Sequence, residues 1–139
     1  MEHFIKMAFC AVILSACLQA RPMEYNVDGI IRLIDEVTCL NNSIFYSPEN
    51  VKEECITAAL DCILRELNGT AKVECDDPAE GIDDVLEILY LKIQKRNTTE
   101  NVLTNSEECA CEIWPETPLN EFRNKFTTLL QLEYSTSLR

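Results

Sequence analysis

The chain has little of what most enzymes and cofactor-binding proteins need. It contains one histidine and three glycines in 139 residues. The histidine, His3, lies in a segment that we expect to be removed, which disfavours catalytic triads and histidine-containing zinc sites. The glycines, Gly29, Gly69 and Gly81, are too scattered to form a phosphate-binding loop. We therefore expect no enzyme activity, no cofactor and no metal site.

Long apolar runs are also missing. The longest apolar stretch, Met7 to Leu18, follows the charged Lys6 and precedes the small residue Ala20. It is shorter than the ~20 residues that a membrane span requires, and it has the layout of a secretory signal peptide. The sequence predicts a signal peptide over residues 1–20, with cleavage after Cys17 as the alternative, and a mature domain over residues 21–139. We expect a secreted, extracellular protein without membrane insertion.

Positive charge is scarce. The chain has 12 Lys and Arg residues against 24 Asp and Glu residues, which gives a formal net charge of -12. The field of such a chain repels phosphate backbones and anionic lipid. Nucleic acid is therefore excluded as an expected partner, and a basic protein is favoured.

Cysteine, in contrast, is abundant. The chain has eight cysteines, and six remain once Cys10 and Cys17 are removed with the leader. An even number in an oxidising compartment predicts disulfides, although six cysteines allow 15 pairings. Zinc is disfavoured because the C-x6-C and C-x-C spacings differ from the usual C-x2-4-C pairs. The six are Cys39, Cys55, Cys62, Cys75, Cys109 and Cys111.

Four segments have the apolar spacing of amphipathic helices. The first covers residues 27–40, and its apolar face is Val27, Ile30, Ile31, Ile34, Val37 and Leu40. The second begins at Ser47-Pro48-Glu49, predicted as an N-cap and first turn, and ends at Asn68-Gly69, predicted as a left-handed exit. Its inner residues are Val51, Cys55, Ala58, Ala59, Cys62, Ile63 and Leu67.

The third and fourth segments have proline-containing starts. The third opens at Asp77-Pro78-Ala79-Glu80, predicted as a cap, a proline and a capping-box glutamate. Its apolar residues are Ile82, Val85, Leu86, Leu89 and Ile93, and Lys92, Lys95 and Arg96 are expected in its last turn. The fourth opens at Thr117-Pro118, with Leu119, Phe122, Phe126, Leu129 and Leu130 as its apolar face, and Tyr134 to Arg139 is predicted as a polar tail.

These segments predict a helical bundle. Strand signals are poor, since no long alternating run and no tight-hairpin dipeptide is present. Four helices with one apolar face each bury those faces best against one another. The link over residues 97–116 is longer than the ~2 to 8 residues common between bundle helices, as expected for a crossover between parallel helices. Glycosylation sequons start at Asn41, Asn68 and Asn97, all at predicted segment ends.

Two blocks of the sequence resemble a known family. Residues 46–67 read YSPENVKEECITAALDCILREL, in which Cys-x6-Cys is followed by an acidic residue and leucine. Residues 109–132 read CACEIWPETPLNEFRNKFTTLLQL. In an acidic, secreted, four-helix chain these blocks resemble the interleukin-2/interleukin-15/interleukin-21 cytokine family, in particular its interleukin-15 and interleukin-15-like branch. The resemblance implies an all-α, short-chain four-helix cytokine bundle, up-up-down-down and monomeric, stapled by disulfides.

The resemblance also implies disulfide pairs. The two family disulfides would join Cys55 to Cys109 and Cys62 to Cys111. This chain has Cys-x-Cys where interleukin-15 has Cys-x-x-Cys. Cys39 and Cys75 are additional, and their even number predicts that they pair with each other.

Receptor-binding residues are implied in the same way. Such cytokines bridge a beta chain and the common gamma chain, and a sushi-domain alpha chain captures the interleukin-15 branch. The matching positions are Tyr46, Glu49 and Glu66 for the alpha chain, Asp28 or Gly29 with Asp84, Glu87 and Ile88 for the beta chain, and Gln131 for the gamma chain. Ile88 stands where the family has an asparagine, so the hydrogen bonds of that amide are missing.

A secreted lipid carrier of the saposin type is the alternative interpretation. It shares the size, the acidity and the helical plan. Saposin-type domains have cysteines near both chain ends, whereas no cysteine follows Cys111 here. Bound lipid would favour the carrier, and saturable binding to a sushi-domain alpha chain would favour the cytokine.

Overall fold

A computed structural model describes residues 26–99 and 107–138 of the chain. The predicted signal peptide lies outside these residues, as do residues 100–106 of the long link. Four helices form the frame: α1 (Val27–Arg32), α2 (Ile56–Glu66), α3 (Gly81–Thr99) and α4 (Leu119–Ser137). Helix α2 is continued by a π-helical segment, Leu67–Ala71, and by one α-helical turn, Lys72–Glu74. Short 3-10 turns cover Glu53–Cys55, Glu107–Cys109 and Cys111–Ile113.

Two short antiparallel ladders join the loops to one another. Strand β1 (Thr38–Cys39) pairs with β3 (Cys75–Asp76), and β2 (Phe45–Tyr46) pairs with β4 (Glu116–Thr117). These strands were not predicted, because two residues are too few to show an alternating pattern. Their pairing depends on segments that are far apart in the chain.

The core lies between α2 and the helices on either side of it. Helix α2 contacts both α3 and α4, and α1 contacts α4. Buried aromatic rings fill the space under the second ladder: Phe45 lies 4.9 Å from Phe122, and Phe122 lies 6.4 Å from Phe126, between ring centroids. The apolar faces predicted for the second and fourth segments are almost all in this core. The chain is therefore mainly helical, as predicted.

The first helix is shorter than predicted. It ends at Arg32 instead of Leu40, and Leu40 is 61% exposed although Ile34 and Val37 are buried. The guanidinium of Arg123 on α4 donates to the carbonyl oxygens of Ile34 and Asp35, at 3.1 and 3.2 Å. These carbonyls thus have a partner outside the helix, and the chain is free to extend into β1. The prediction of a helix over residues 27–40 is wrong beyond its first half.

Both predicted ends of the second helix are also wrong. Ser47 does not cap a helix: its hydroxyl donates to the Phe45 carbonyl at 2.9 Å and lies 2.6 Å from the Thr117 hydroxyl, and the α-helix begins at Ile56. At the other end Gly69 has no positive φ, and the helical path continues through it to Glu74. The buried contact of Ser47 with Thr117 prevents Ser47 from capping the helix, and the π-helical segment carries the chain past Gly69 without a left-handed turn.

The start of α3 is only partly as predicted. The carboxylate of Asp77 accepts from the N–H groups of Gly81 and Ile82, at 3.0 and 2.8 Å, so Asp77 does satisfy the first amides of the helix. Pro78 and Glu80 precede the helix, and Glu80 has a φ of 56°, so the proline start and the capping box are wrong. Asp77 therefore caps the helix across residues 78–80, which form a turn and not the first helical turn that was predicted.

Helix α4 comes closest to its prediction. It begins at Leu119, with Pro118 at the N-cap position, and Thr117 belongs to β4. The helix continues to Ser137, so most of the predicted polar tail is helical. Glu133 is buried there and forms an ion pair with Lys92 of α3 at 2.8 Å. Because Lys92 neutralises it, the charged Glu133 can be buried on the inner face of α4.

Two of the three residues expected in the last turn of α3 lie elsewhere. Only Arg96 is in that turn, since the helix continues to Thr99. Its side chain is buried and donates to the Thr57 hydroxyl at 2.9 Å. Lys92 forms its ion pair with Glu133 of α4. Arg96 and Lys92 therefore bind specific side chains of α2 and α4, in addition to any interaction with the helix dipole.

The close approach of α3 to the segment after α1 makes Gly81 sensitive to substitution. A Cβ at position 81 would lie 1.5 Å from the Leu33 carbonyl oxygen, whereas a Cβ at Gly69 would meet nothing within 4 Å. We expect Gly81→Ala to lower the free energy of unfolding by about 3 kcal/mol, because backbone must move. Gly69→Ala is the matched control and should raise it by roughly 0.5 kcal/mol. Chemical denaturation measures both, and equal stabilities would contradict this packing.

Candidate functional site

Three disulfides fix the loops around α2. They join Cys55 to Cys109, Cys62 to Cys111 and Cys39 to Cys75, which are the pairs expected from the sequence. The first two tie α2 to the 3-10 turns before α4, and all four of their cysteines are buried. Each closes a loop of about 50 residues, for which the chain-entropy estimate is ~4 kcal/mol at most.

A hydrogen bond from the loop to α2 brings two of the candidate residues together. The carboxylate of Glu66, the last residue of α2, accepts from the backbone N–H of Tyr46 at 2.5 Å. Its other oxygen lies 3.5 Å from the Thr70 hydroxyl. Glu66 and Tyr46 are both partly exposed. The carboxylate therefore holds β2 against the end of α2 and still reaches the surface.

Glu49, the third candidate of this group, is directed elsewhere. Its carboxylate forms an ion pair with Lys125 on α4. The pair lies at a shallow groove of about 380 Å³, between the loop before α2 and the outer side of α4. The groove is lined by Pro48, Glu49, Asn50, Val51, Lys125, Thr128, Leu129 and Leu132. The structure therefore joins Tyr46 to Glu66 and joins Glu49 to α4.

The candidates on α3 share one side of the helix. Asp84 and Glu87 are exposed, whereas Ile88 is half-buried and packs against the core. Spacings of three and four residues place the three on neighbouring turns of one face. Asp28 is exposed in the first turn of α1, and the Asn26 side chain caps that helix by accepting from the Gly29 N–H at 2.7 Å. Ile88 is thus partly a core residue, and three carboxylates remain accessible.

Gln131 lies on the outer side of α4. It is exposed, and the residues immediately before it, Leu129 and Leu130, are buried. The predicted apolar stripe of this helix accordingly places the glutamine amide in solvent. Its position is apart from the Tyr46–Glu66 pair in the sequence and on a different helix.

The sequon asparagines are exposed, but two of them do not lie at a helix end. Asn41 lies in the turn closed by the Ser43 N–H and the Leu40 carbonyl, at 3.0 Å, and Asn97 lies near the end of α3. Asn68 lies within the π-helical segment, so its expected place at a segment end is wrong. All three side chains are accessible for a glycan.

Exposed apolar residues beside the loop were missed by the sequence analysis. Leu40, Ile44 and Val73 are exposed near the β1–β3 ladder, and Val73 is 84% exposed. The buried Ser43 hydroxyl joins the two chain segments by donating to the Glu74 carboxylate at 2.7 Å. A signal was available for Val73, because it falls outside the predicted apolar face of the second segment.

The described part of the chain contains no cluster of side chains arranged to hold a metal ion. Over residues 26–99 and 107–138, no group of three or more His, Cys, Asp or Glu side chains is placed to hold a metal ion. Among the helices of the same residues, none combines the length and the apolar character needed to cross a bilayer. The exposed candidate residues offer carboxylates, an amide and apolar side chains.

Comparison with known families identifies the chain. The profile of the family described as Interleukin 15 matches residues 12–134, which is most of the sequence. This chain belongs to the interleukin 15 family. The interleukin 15 family is a family of cytokines and not of enzymes, and it implies cytokine receptors as partners. A search of curated proteins gives no significant match.

The family assignment agrees with the helices and the disulfides. An interleukin 15 family member is expected to be a four-helix cytokine, and residues 26–99 and 107–138 form the four frame helices α1 to α4 and three disulfides. The assignment favours the cytokine over the lipid carrier. The order of helix directions and the individual receptor contacts stay predictions.

Removal of the Glu66 carboxylate tests whether it holds the loop. We expect Glu66→Ala to lower the free energy of unfolding by about 1 to 3 kcal/mol, because the Tyr46 N–H loses its charged acceptor. Hydrogen exchange at the Tyr46 amide should become faster. Glu66→Gln keeps an acceptor oxygen and should retain most of the protection.

Glu87→Ala is the matched control for this experiment, since Glu87 is an exposed glutamate on α3. It should change neither the stability nor the exchange at Tyr46. Unchanged exchange of the Tyr46 amide in Glu66→Ala would show that the hydrogen bond does not hold the loop.

Proposed function

We propose that this interleukin 15 family member is a secreted cytokine. It is captured by a sushi-type alpha receptor chain and signals to lymphocytes through a beta chain and the common gamma chain. The observation that carries the proposal is the bond between Glu66 and Tyr46, because it joins two residues from separate parts of the sequence into one surface. Both match alpha-chain positions of the family. A predicted signal peptide and three disulfides support secretion.

Charge supports a basic receptor surface at this site. The net charge of the chain is -12, so its field accelerates the approach of a basic partner. The Glu66 carboxylate is already ordered by Tyr46, so less conformational freedom is lost when it meets an arginine. Tyr46 supplies an adjacent aromatic ring. Glu49 takes part only when it leaves or shares its ion pair with Lys125.

The beta-chain surface in this proposal is mainly acidic. Asp84 and Glu87 are exposed on α3, and Asp28 is exposed on α1. Ile88 is half-buried against the core and has no hydrogen-bonding group to replace the family's asparagine. The affinity for a beta chain therefore depends on the carboxylates and on apolar contact at Ile88.

The gamma-chain surface is centred on Gln131. Its amide is exposed on α4, and an amide group both donates and accepts hydrogen bonds. Because the buried stripe of α4 fixes the rotation of the helix, the amide is presented in a defined direction.

Glu66→Gln tests the alpha-chain site. The substitution keeps the acceptor for Tyr46 but removes the negative charge, so we expect roughly tenfold weaker binding to a soluble sushi-domain alpha chain and a smaller dependence on salt. Surface plasmon resonance at two ionic strengths measures both. Glu87→Gln makes the same change of net charge on α3 and should bind within about twofold of the unmodified protein. Equal losses in the two variants would refute a site at Glu66.

Gln131→Asp tests the gamma-chain site. We expect the variant to fold and to bind the alpha chain normally but to lose signalling in lymphocytes, because a carboxylate cannot donate the hydrogen bonds of the amide. Asn124→Asp is the control: it adds the same charge on the exposed side of α4 about 10 Å nearer the start of the helix. It should signal normally. Unchanged signalling by Gln131→Asp would count against the assignment.

A further inference from the structure

The Cys39–Cys75 disulfide differs from the other two in exposure. Both of its cysteines are partly exposed. The cysteines of the other two disulfides are between 0% and 5% exposed. Cys39–Cys75 is therefore the most exposed of these three bonds. A thiolate must reach a sulfur atom to exchange with a disulfide, so the more exposed bond is expected to react faster than the two buried ones.

The surroundings of this disulfide are open and acidic. The neighbouring Leu40 is 61% exposed and Val73 is 84% exposed, so among residues 26–99 and 107–138 no large element covers the outer side of this ladder, although Cys39 and Cys75 pack against the core on its inner side. Cys75 is preceded by Glu74 and followed by Asp76 and Asp77 in the sequence. Because the whole chain is also acidic, anionic thiols approach this bond against an opposing field.

From this placement we propose that Cys39–Cys75 is a thiol–disulfide exchange site. A neutral or cationic thiol, or an extracellular dithiol protein, opens it selectively while the bundle remains folded. The inference does not depend on which receptor the protein binds. It assigns to the additional cysteine pair a reactivity that the two buried pairs lack.

The exchange is balanced without any further oxidant or reductant. The reductant's thiolate attacks one cysteine sulfur, the bond between the two cysteine sulfurs breaks, and the second cysteine leaves as a thiolate that takes up a proton. A second reductant thiolate then attacks the mixed disulfide and releases the first cysteine. Overall, the disulfide is reduced to two thiols while two reductant thiols are oxidised to one disulfide.

Opening the bond releases only one part of the loop. The β1–β3 ladder would keep the Leu40 N–H bond to the Glu74 carbonyl at 3.2 Å and the Ser43 bond to the Glu74 carboxylate. Strand β2 is held separately by β4, and α2 stays tied to the segment before α4 by the two buried disulfides. We therefore expect local opening of residues 33–44 and not unfolding.

Trapping experiments on the disulfide-intact protein test the selectivity. The protein is exposed to cysteamine or to glutathione at one pH, free thiols are blocked with N-ethylmaleimide, and labelled cysteines are mapped by mass spectrometry. We expect Cys39 and Cys75 to be labelled at least tenfold faster than the other four cysteines. Cysteamine should react faster than glutathione, and the difference should shrink as salt is added. Simultaneous labelling of all six cysteines, or earlier labelling of a buried pair, would overturn the proposal.

A double variant tests whether the opening is local. Cys39→Ser with Cys75→Ser removes the exposed bond, and Cys55→Ser with Cys109→Ser removes a buried one as the matched comparison. The first variant should keep its helical circular dichroism and show faster hydrogen exchange confined to residues 33–44 and the β3 segment. If the variant does not fold, the unmutated chain is used instead: it is folded with its three disulfides, and only Cys39–Cys75 is then reduced and alkylated before the same measurement. Hydrogen exchange that rises throughout α2, α3 and α4 when the Cys39–Cys75 bond is absent, in the variant or in the selectively reduced chain, would overturn the proposal.

Discussion

The two buried disulfides between α2 and the segment before α4 are the constraint on which the rest of the structure depends. They hold the start and the middle of α2 against the 3-10 turns that lead into β4 and α4. Once these segments are fixed, β4 is in place to pair with β2, and the buried rings of Phe45, Phe122 and Phe126 close the space beneath. The loop after α1 thus packs on a surface formed by β4 and α4, whose position the two disulfides fix.

That loop is held by polar contacts more than by regular structure. Arg123 binds two carbonyl oxygens after α1, Ser47 contacts Thr117, and Glu66 binds the N–H of Tyr46. These contacts add side-chain partners to backbone and hydroxyl groups of the loop, which satisfies polar groups outside regular helices and strands. The loop is therefore ordered without forming a helix.

The same contacts connect the fold to the proposed function. Glu66 both holds β2 and lies at the surface that we propose to bind the alpha chain. A substitution that removes its acceptor oxygen and one that removes only its charge affect different properties, namely the order of the loop and the attraction of a basic partner. Ile88, in contrast, is mostly a packing residue in this chain, so the acidic residues around it are the basis of the beta-chain proposal.

The sequence by itself determined the number of helices and most of their apolar residues; the resemblance of two blocks implied the family and two disulfide pairs, and the two remaining cysteines predicted the third pair. These depend on local periodicity, on cysteine positions and on two specific blocks of residues. Tertiary structure decided where the helices begin and end. Leu40, Ser47 and Gly69 all carried local signals that the fold overrode. The physical reason is that a helix end is set by whichever partner satisfies its last free backbone groups. Beyond the end of α1, Arg123 binds the carbonyls of Ile34 and Asp35, and β3 and β4 pair with β1 and β2; all of these partners lie far away in the chain.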